Sequence, residues 1–206
     1  MKHTKLSTIA LATAALFAFL PEVAHAKVSE QTLKNLNTAY QGESNAASRY
    51  ATFAEKAVAD GNAQVGKLFR AASAAEAIHR DTHLAAIKEL GGRPATFQLD
   101  AVTPGSIAEN LKAAIAGEPS ERDTMYPGFL ATAKADDSRA AIRTFEFALA
   151  AEKEHAKLYQ NALDNLGQNG TADYYVCQVC GMTLTQIPAK KCPSCRKSRD
   201  EYKKIN

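Results

Sequence analysis

Apolar residues recur three and four positions apart through four long stretches of the chain, and glycine or proline separates one stretch from the next. From Ser29 to Asp60 the positions Leu33, Leu36, Tyr40, Ala47, Tyr50 and Phe53 fall on or near one helical face, and Gly61-Asn62 breaks the pattern. A second stripe of Val65, Leu68, Phe69, Ala72, Ile87 and Leu90 predicts a helix from about Ala63 to Leu90, stopped by Gly91-Gly92. The segment 93–105, with Pro94 and Pro104, is longer than an antiparallel turn requires and predicts the crossover of a four-helix bundle. A third helix is expected from near Ser106 to about Lys134, bent at Pro119, where a backbone donor is missing. Asp136 or Asp137 is expected to cap a fourth helix that runs to Leu166 and ends at Gly167.

The polar positions inside these helices carry the chemistry. Glu76-Ala-Ile-His79 on the second helix is repeated as Glu152-Lys-Glu-His155 on the fourth, and residues three apart share a helical face. Each pair follows a single glutamate at similar distance, Glu43 on the first helix and Glu118 on the third. One such pair on an alanine-rich helix reads as ordinary solvent-facing residues. Two pairs in register, each behind a lone glutamate, match the ligand set of carboxylate-bridged di-iron or di-manganese sites in four-helix bundles. Burying these carboxylates together without cations costs several kcal/mol per unpaired charge. Oxygen-rich ligation with only two imidazoles suits iron or manganese, and the four negative charges of Glu43, Glu76, Glu118 and Glu152 match two Fe²⁺. Glu121 lies one turn from Glu118 and supplies a spare carboxylate. His83, one turn beyond His79, has no counterpart in the fourth helix and is expected at the surface or behind the ligands.

After Gly167-Gln-Asn-Gly170 the helical pattern stops. Cys177-Gln-Val-Cys180 and Cys192-Pro-Ser-Cys195 are two C-x-x-C knuckles and contain all the cysteines of the chain, which predicts a tetrahedral four-cysteine site for iron or zinc. Disulfides are the competing use of these thiols in an exported protein. Lys190, Lys191, Arg196, Lys197, Arg199, Lys203 and Lys204 surround the second knuckle, against Asp200 and Glu201, and could steer an acidic redox partner.

Composition narrows the class. The chain is rich in alanine and poor in aromatics, with aromatic residues at 7%, which is a helical composition. A formal net charge of +3 over 206 residues is too small to argue for a nucleic-acid partner, no binding motif supports one, and none is expected. Lys2 and Lys5, the apolar run Ile9 to Leu20 and Ala24-His25-Ala26 have the form of a cleavable export signal. The apolar run is shorter than the roughly 20 residues of a spanning helix, which leaves an uncleaved membrane anchor as the competing reading; after cleavage no stable membrane insertion is expected. The expected organisation is a leader over 1–26, a four-helix bundle over 27–168 and a cysteine module over 171–206, in a protein exported to the periplasm.

Together these motifs resemble the rubrerythrins. The resemblance rests on Gly42-Glu43-Ser44-Asn45-Ala46 with Arg49-Tyr50, Ala116-Gly117-Glu118 with Glu121, Met125-Tyr126-Pro127, Ala151-Glu152 to His155, and the two knuckles, all in family order. It implies an all-α, ferritin-like four-helix bundle with a rubredoxin-like domain. It further implies a di-iron peroxidase that reduces hydrogen peroxide to water, fed by electrons through the four-cysteine iron, in a homodimer where one chain's rubredoxin domain serves the other's di-iron site. By the same resemblance the di-iron ligands are Glu43, Glu76, His79, Glu118, Glu121, Glu152 and His155, the rubredoxin ligands are Cys177, Cys180, Cys192 and Cys195, and Tyr50 and Tyr126 lie near the irons. It also implies that Glu121 takes over from His79 on oxidation. Two features depart from the family pattern: Pro119 directly follows Glu118, and Gly181-Met182 stands where an aromatic is commoner. Export removes direct access to NAD(P)H, so a secreted redox donor such as a c-type cytochrome is expected. A ferroxidase or iron-storage protein of ferritin type, and a zinc-stabilised binding module, are the competing readings.

Overall fold

The computed structural model describes residues 28–168 and 170–206. The expected leader lies outside the described residues, and so does the side chain of Glu118. Among the described residues no helix is long and apolar enough to cross a membrane.

Helix α1 spans Glu30–Ala59 and begins where the Ser29 side chain accepts the Thr32 amide. It ends at Asp60, where Gly61 takes φ +84°, a conformation open to glycine, and lets the chain turn straight back. Asn62 caps α2, Ala63–Glu89, by accepting the Val65 amide. After the crossover come α3, Ile107–Ser120, and a single π-turn over Glu121–Met125 that leads into α4, Tyr126–Ala135. Helix α5 spans Arg139–Asp164.

The third helix is therefore interrupted where one bent helix was expected. Pro119 cannot donate to the carbonyl one turn behind it, and the ladder slips by one residue immediately afterwards, with the Tyr126 amide reaching the Glu121 carbonyl. The fourth-helix cap is also different. Ser138 precedes α5, and Asp136 instead reaches across the bundle to the start of α1, accepting from the Ser29 amide at 3.2 Å, the Ser29 hydroxyl and Thr32 Oγ1 at 2.6 Å.

Two apolar layers fill the bundle. One contains Tyr50, Phe53, Leu68, Phe69, Leu111 and Tyr159; the other contains Leu36, Ile87, Tyr126, Leu130 and Phe145. Fully burying a large apolar side chain stabilises the fold by about 1.5–3 kcal/mol. The polar positions of the sequence fall between these layers: Glu43 between Leu36 and Tyr50, Glu76 and His79 between Phe69 and Ile87, Glu152 and His155 between Phe145 and Tyr159. The helices thus clamp a polar belt between two hydrophobic plugs.

The cysteine module is a three-stranded antiparallel sheet of β1 (Tyr174–Cys177), β2 (Thr183–Leu184) and β3 (Tyr202–Ile205), ordered β2-β1-β3, with Val176 opposite both Thr183 and Lys203. It packs on the bundle of its own chain. Tyr174 and Val176 join the layer of Phe69 and Tyr159, and Phe147 and Ala150 of α5 pack against the cysteine cluster. Gln64 on α2 exchanges two hydrogen bonds of 3.1 Å with the Ala172 backbone, and Arg70 Nε donates to the Asn206 carbonyl at 2.6 Å.

Candidate metal centres

In the belt between the two layers, Glu43, Glu76, His79 and Glu152 bring ligand atoms within 4.8 Å of one another, all buried. His79 Nδ1 lies 2.8 Å from Glu76 Oε2, 3.7 Å from Glu152 Oε1 and 3.9 Å from Glu43 Oε1. His155 Nδ1 lies 3.1 Å from Glu76 Oε1 and 3.3 Å from Glu152 Oε2. The two Glu-x-x-His pairs thus interlock, each imidazole facing the carboxylates of both helices.

The other nitrogen of each ring meets the cysteine module. His79 Nε2 is 3.1 Å from the Cys180 carbonyl, which can only accept, so Nε2 carries the proton. His155 Nε2 is 3.1 Å from Thr183 Oγ1, whose own proton goes to the Gly181 carbonyl at 3.2 Å, so this Nε2 also donates. Both Nδ1 atoms consequently present lone pairs to carboxylates. Such a cage holds together only with positive charge inside it, either metal ions or protons. Glu43 Oε2 is buried with no hydrogen-bond partner, as an oxygen reserved for a cation would be. Burial and the charge of Glu76 push the Glu43 carboxyl up to about 8, against the lowering effect of His79 and Tyr126. Burial alone would raise Glu76, but His155 and His79 hold it well below the carboxylate range. For His79, burial is outweighed by Glu76 and Glu43, and its affinity for a proton rises.

The remaining candidates sit around this cage. Tyr126, fully buried, donates its phenol proton to Glu43 Oε1. Glu121, half-buried at the head of the π-turn, is pushed up to about 8 by burial and by the charges of Glu43 and Glu76. Tyr50 belongs to the apolar layer, stacked on Phe69 with ring centroids 6.0 Å apart, and the Arg49 guanidinium lies 5.3 Å from its ring centre. Glu118 lies on α3 one turn before Glu121. Sequence reasoning gave no part to Thr144 or Thr183 and named Arg49 only beside Tyr50 in the family motif. Thr144 and Thr183 carry no local signal, because each matters only through what tertiary packing brings to it. His83 is fully buried behind the cage, in the second of the two places expected for it.

The four cysteines converge likewise, with sulfurs within 4.8 Å and none paired in a disulfide. Cys177, Cys180 and Cys192 are buried and Cys195 is partly open. Hydrogen bonding to Cys177 and Cys192, then burial, pushes the Cys180 thiol up, while thiols of Cys177 and Cys180 and the Tyr202 hydroxyl, 3.2 Å away, stabilise a thiolate at Cys192. Four such sulfurs ionise together only around a metal. Gly181 fits the module to the cage. It adopts φ +73°, and a Cβ there would lie 2.3 Å from His79 Nε2. Met182 is buried against the cysteines.

A helical bundle with a carboxylate-histidine cage and an attached four-cysteine site defines a ferritin-like di-iron protein of rubredoxin-appended type. The rubrerythrin family model matches residues 34–163. Rubrerythrin-2 of Clostridium acetobutylicum is 36% identical over 170 residues, covering 81% of this chain and 92% of the relative. Nigerythrin of Nitratidesulfovibrio vulgaris is 31% identical over 171 residues, covering 83% and 85%. The structure of nigerythrin in its fully reduced, all-ferrous state superposes with a TM-score of 0.77, covering 89% of this chain and 91% of that one at 31% identity. This chain belongs to the rubrerythrin family. It carries a di-iron site built from glutamate and histidine and a four-cysteine site for iron or zinc, in a family of oxidoreductases.

Proposed function

We propose that the chain reduces hydrogen peroxide to two waters, with electrons delivered through the four-cysteine centre. The observation that carries this reading is the contact of the Cys180-Gly181 peptide with His79, because it joins the two candidate centres through one hydrogen bond of 3.1 Å. Breaking the O–O bond consumes two electrons and two protons, and a pair of irons supplies the electrons. The assigned holders are Glu43, Glu76, His79, Glu118, Glu121, Glu152 and His155 for the pair, and Cys177, Cys180, Cys192 and Cys195 for the single ion. Around them the chain's own residues have defined tasks. Tyr126 holds Glu43 Oε1, Glu121 offers a carboxyl that takes up or releases a proton as local charge changes, and the aromatic layer of Tyr50, Phe69 and Tyr159 excludes water.

Vectorial delivery also has support. The first knuckle faces His79, whereas Cys195 is the partly open ligand, on the side where Lys190, Lys191, Arg196, Lys197 and Arg199 are exposed. Such a face suits an acidic one-electron donor, and export to the periplasm makes a secreted cytochrome the fitting class. We take the protein to act there as a homodimer after removal of residues 1–26; the resemblance implies a module that serves the partner's bundle, whereas the docking of Ala172, Tyr174 and Gly181 on the bundle of the same chain favours service within one chain.

The test is Cys177→Ser. It should abolish donor-linked peroxide turnover while leaving intact a single oxidation of the chemically reduced bundle by peroxide. Unchanged steady-state turnover would overturn the relay. Uptake of Fe²⁺ into a mineral, without peroxide turnover, would instead favour the iron-storage reading.

A further inference from the structure

We propose that Thr183 is a positioning residue for His155, and that Thr183 and the Cys180 carbonyl together let the docked cysteine module tighten metal binding in the bundle. The proposal stands on the assignment of the two metal centres and is independent of the peroxide reading. It starts from the register of the small sheet. Thr183 lies directly opposite Val176, and residues paired across antiparallel strands put their side chains on one face. Val176 packs in the bundle's layer of Phe69 and Tyr159, so that face is the one turned to the bundle. Thr183 is accordingly 1% exposed, and its hydroxyl lies 3.1 Å from His155 Nε2. Three residues earlier the Cys180 carbonyl lies 3.1 Å from His79 Nε2. One short span, Cys180 to Thr183, therefore holds the outer nitrogen of both imidazoles, whose ring centroids are 6.5 Å apart.

What the hydroxyl adds can be separated from packing. Valine has nearly the shape of threonine and suits a strand as well, so the buried contacts alone do not call for Thr183. The Gly181 carbonyl can only accept, and at 3.2 Å it takes the Thr183 proton, which leaves the hydroxyl oxygen to accept from His155 Nε2. A ring held in this way turns the Nδ1 lone pair toward Glu76 Oε1 and Glu152 Oε2, 3.1 and 3.3 Å away, as a metal ligand must. With the hydroxyl removed, Nε2 would lose that acceptor in a buried site. The ring would then gain by carrying its proton on Nδ1, where a carboxylate accepts it and no lone pair faces inward. Outer partners of this kind set metal affinity by about 10–100-fold. Here they belong to a different structural unit from the ligands they hold. Cys180 is itself one of the four gathered sulfurs, and Gly181 approaches His79 so closely that a Cβ would lie 2.3 Å from Nε2. Order at the four-cysteine site, gained on binding metal, is thereby order at the outer nitrogens of both histidines. Binding at the two centres is coupled, and the coupling is reciprocal.

The experiment uses the full chain with one equivalent of zinc, which thiolates take ahead of carboxylates, and measures Fe²⁺ uptake by the bundle without oxygen, in competition with a chelator. Thr183→Val should bind Fe²⁺ in the bundle about ten- to a hundredfold more weakly, whereas Thr183→Ser, which keeps a hydroxyl, should stay at the wild-type value. Zinc content and hydrogen exchange at β1 should match wild type in both, as expected of a module that remains folded and docked. Gly181→Ala, which displaces the module with Thr183 intact, should also weaken Fe²⁺ binding. In wild type, filling the bundle with Fe²⁺ should in turn tighten zinc at the four cysteines, and that effect should shrink in Thr183→Val. Wild-type Fe²⁺ affinity in Thr183→Val, or a loss matched by Thr183→Ser or accompanied by loss of protection at β1, would overturn the positioning role. Zinc affinity indifferent to iron in the bundle would overturn the coupling. No arm reads turnover, so failure of wild type to reduce peroxide would overturn the peroxidase reading and leave this test standing.

Discussion

Gly181→Ala probes the joint between the two centres with the smallest change available. The new methyl carbon would lie 2.3 Å from His79 Nε2, 2.8 Å from His79 Cδ2 and 3.0 Å from the Ala75 carbonyl oxygen. A buried imidazole on one side and helix backbone on the other leave nothing flexible to yield, so the module itself must move. Holding a non-glycine residue at φ +73° costs about 1–2 kcal/mol. Overpacking adds roughly 1–3 kcal/mol when the surroundings are rigid. If the module instead lifts away, the hydrogen bond from His79 to the Cys180 carbonyl is lost at about 1 kcal/mol, together with packing of Tyr174 and Val176. If the module stays in place the strain and overpacking together weaken the docked state by about 2–5 kcal/mol. Hydrogen exchange at β1 and along the exposed flank of α2 should accelerate by at least about tenfold, since 1.4 kcal/mol is one decade. Donor-linked turnover should fall while metal binding by the four cysteines persists. Wild-type protection and wild-type turnover in Gly181→Ala would refute the argument that this close approach couples the centres.

Three further outcomes follow from other parts of the structure. Asp136 is held below its ordinary value by the Ser29 and Thr32 hydroxyls, so its contribution is fully present above about pH 4 and fades as pH falls through the depressed value. Asp136→Asn should therefore lower the thermal midpoint at pH 7, and the gap from wild type should close on acidification. Glu121→Ala should still bind two ferrous ions, measured by metal analysis, yet react more slowly with peroxide; an unchanged rate would remove Glu121 from the site. Chelation of the metals at neutral pH should loosen the bundle near Glu43 and Glu76, read by a lower melting temperature restored on adding Fe²⁺, because the gathered carboxylates then lack their counter-charge.

The sequence made the bundle and most of the cage readable because both are periodic. Glu76 with His79 and Glu152 with His155 lie three apart on helices, and that spacing forces each pair onto one face whatever the tertiary detail. What escaped the reading depended on contacts between distant segments. Pro119 announced a disturbance of the third helix, but local rules could not choose between a bend and the π-turn that starts at Glu121. Asp136 had the form of a cap for α5, and only the approach of α1 shows that it serves Ser29 and Thr32. The docking of the module depends on Gln64, Tyr174 and the missing side chain at Gly181, none of which stands out along the chain. His83 had two possible places one turn beyond His79, and Thr144 of a different helix fixes which it occupies.

Peroxide reduction through this chain depends on whether the four-cysteine centre feeds it electrons. Full-length protein with iron loaded into the four-cysteine site, reduced under anaerobic conditions and mixed rapidly with hydrogen peroxide, reports this through the visible absorption of that iron. This absorption should reappear at a rate that rises with peroxide concentration, with one peroxide consumed per two electrons, and Gly181→Ala should slow it. A cysteine centre that stays reduced while peroxide persists would contradict it.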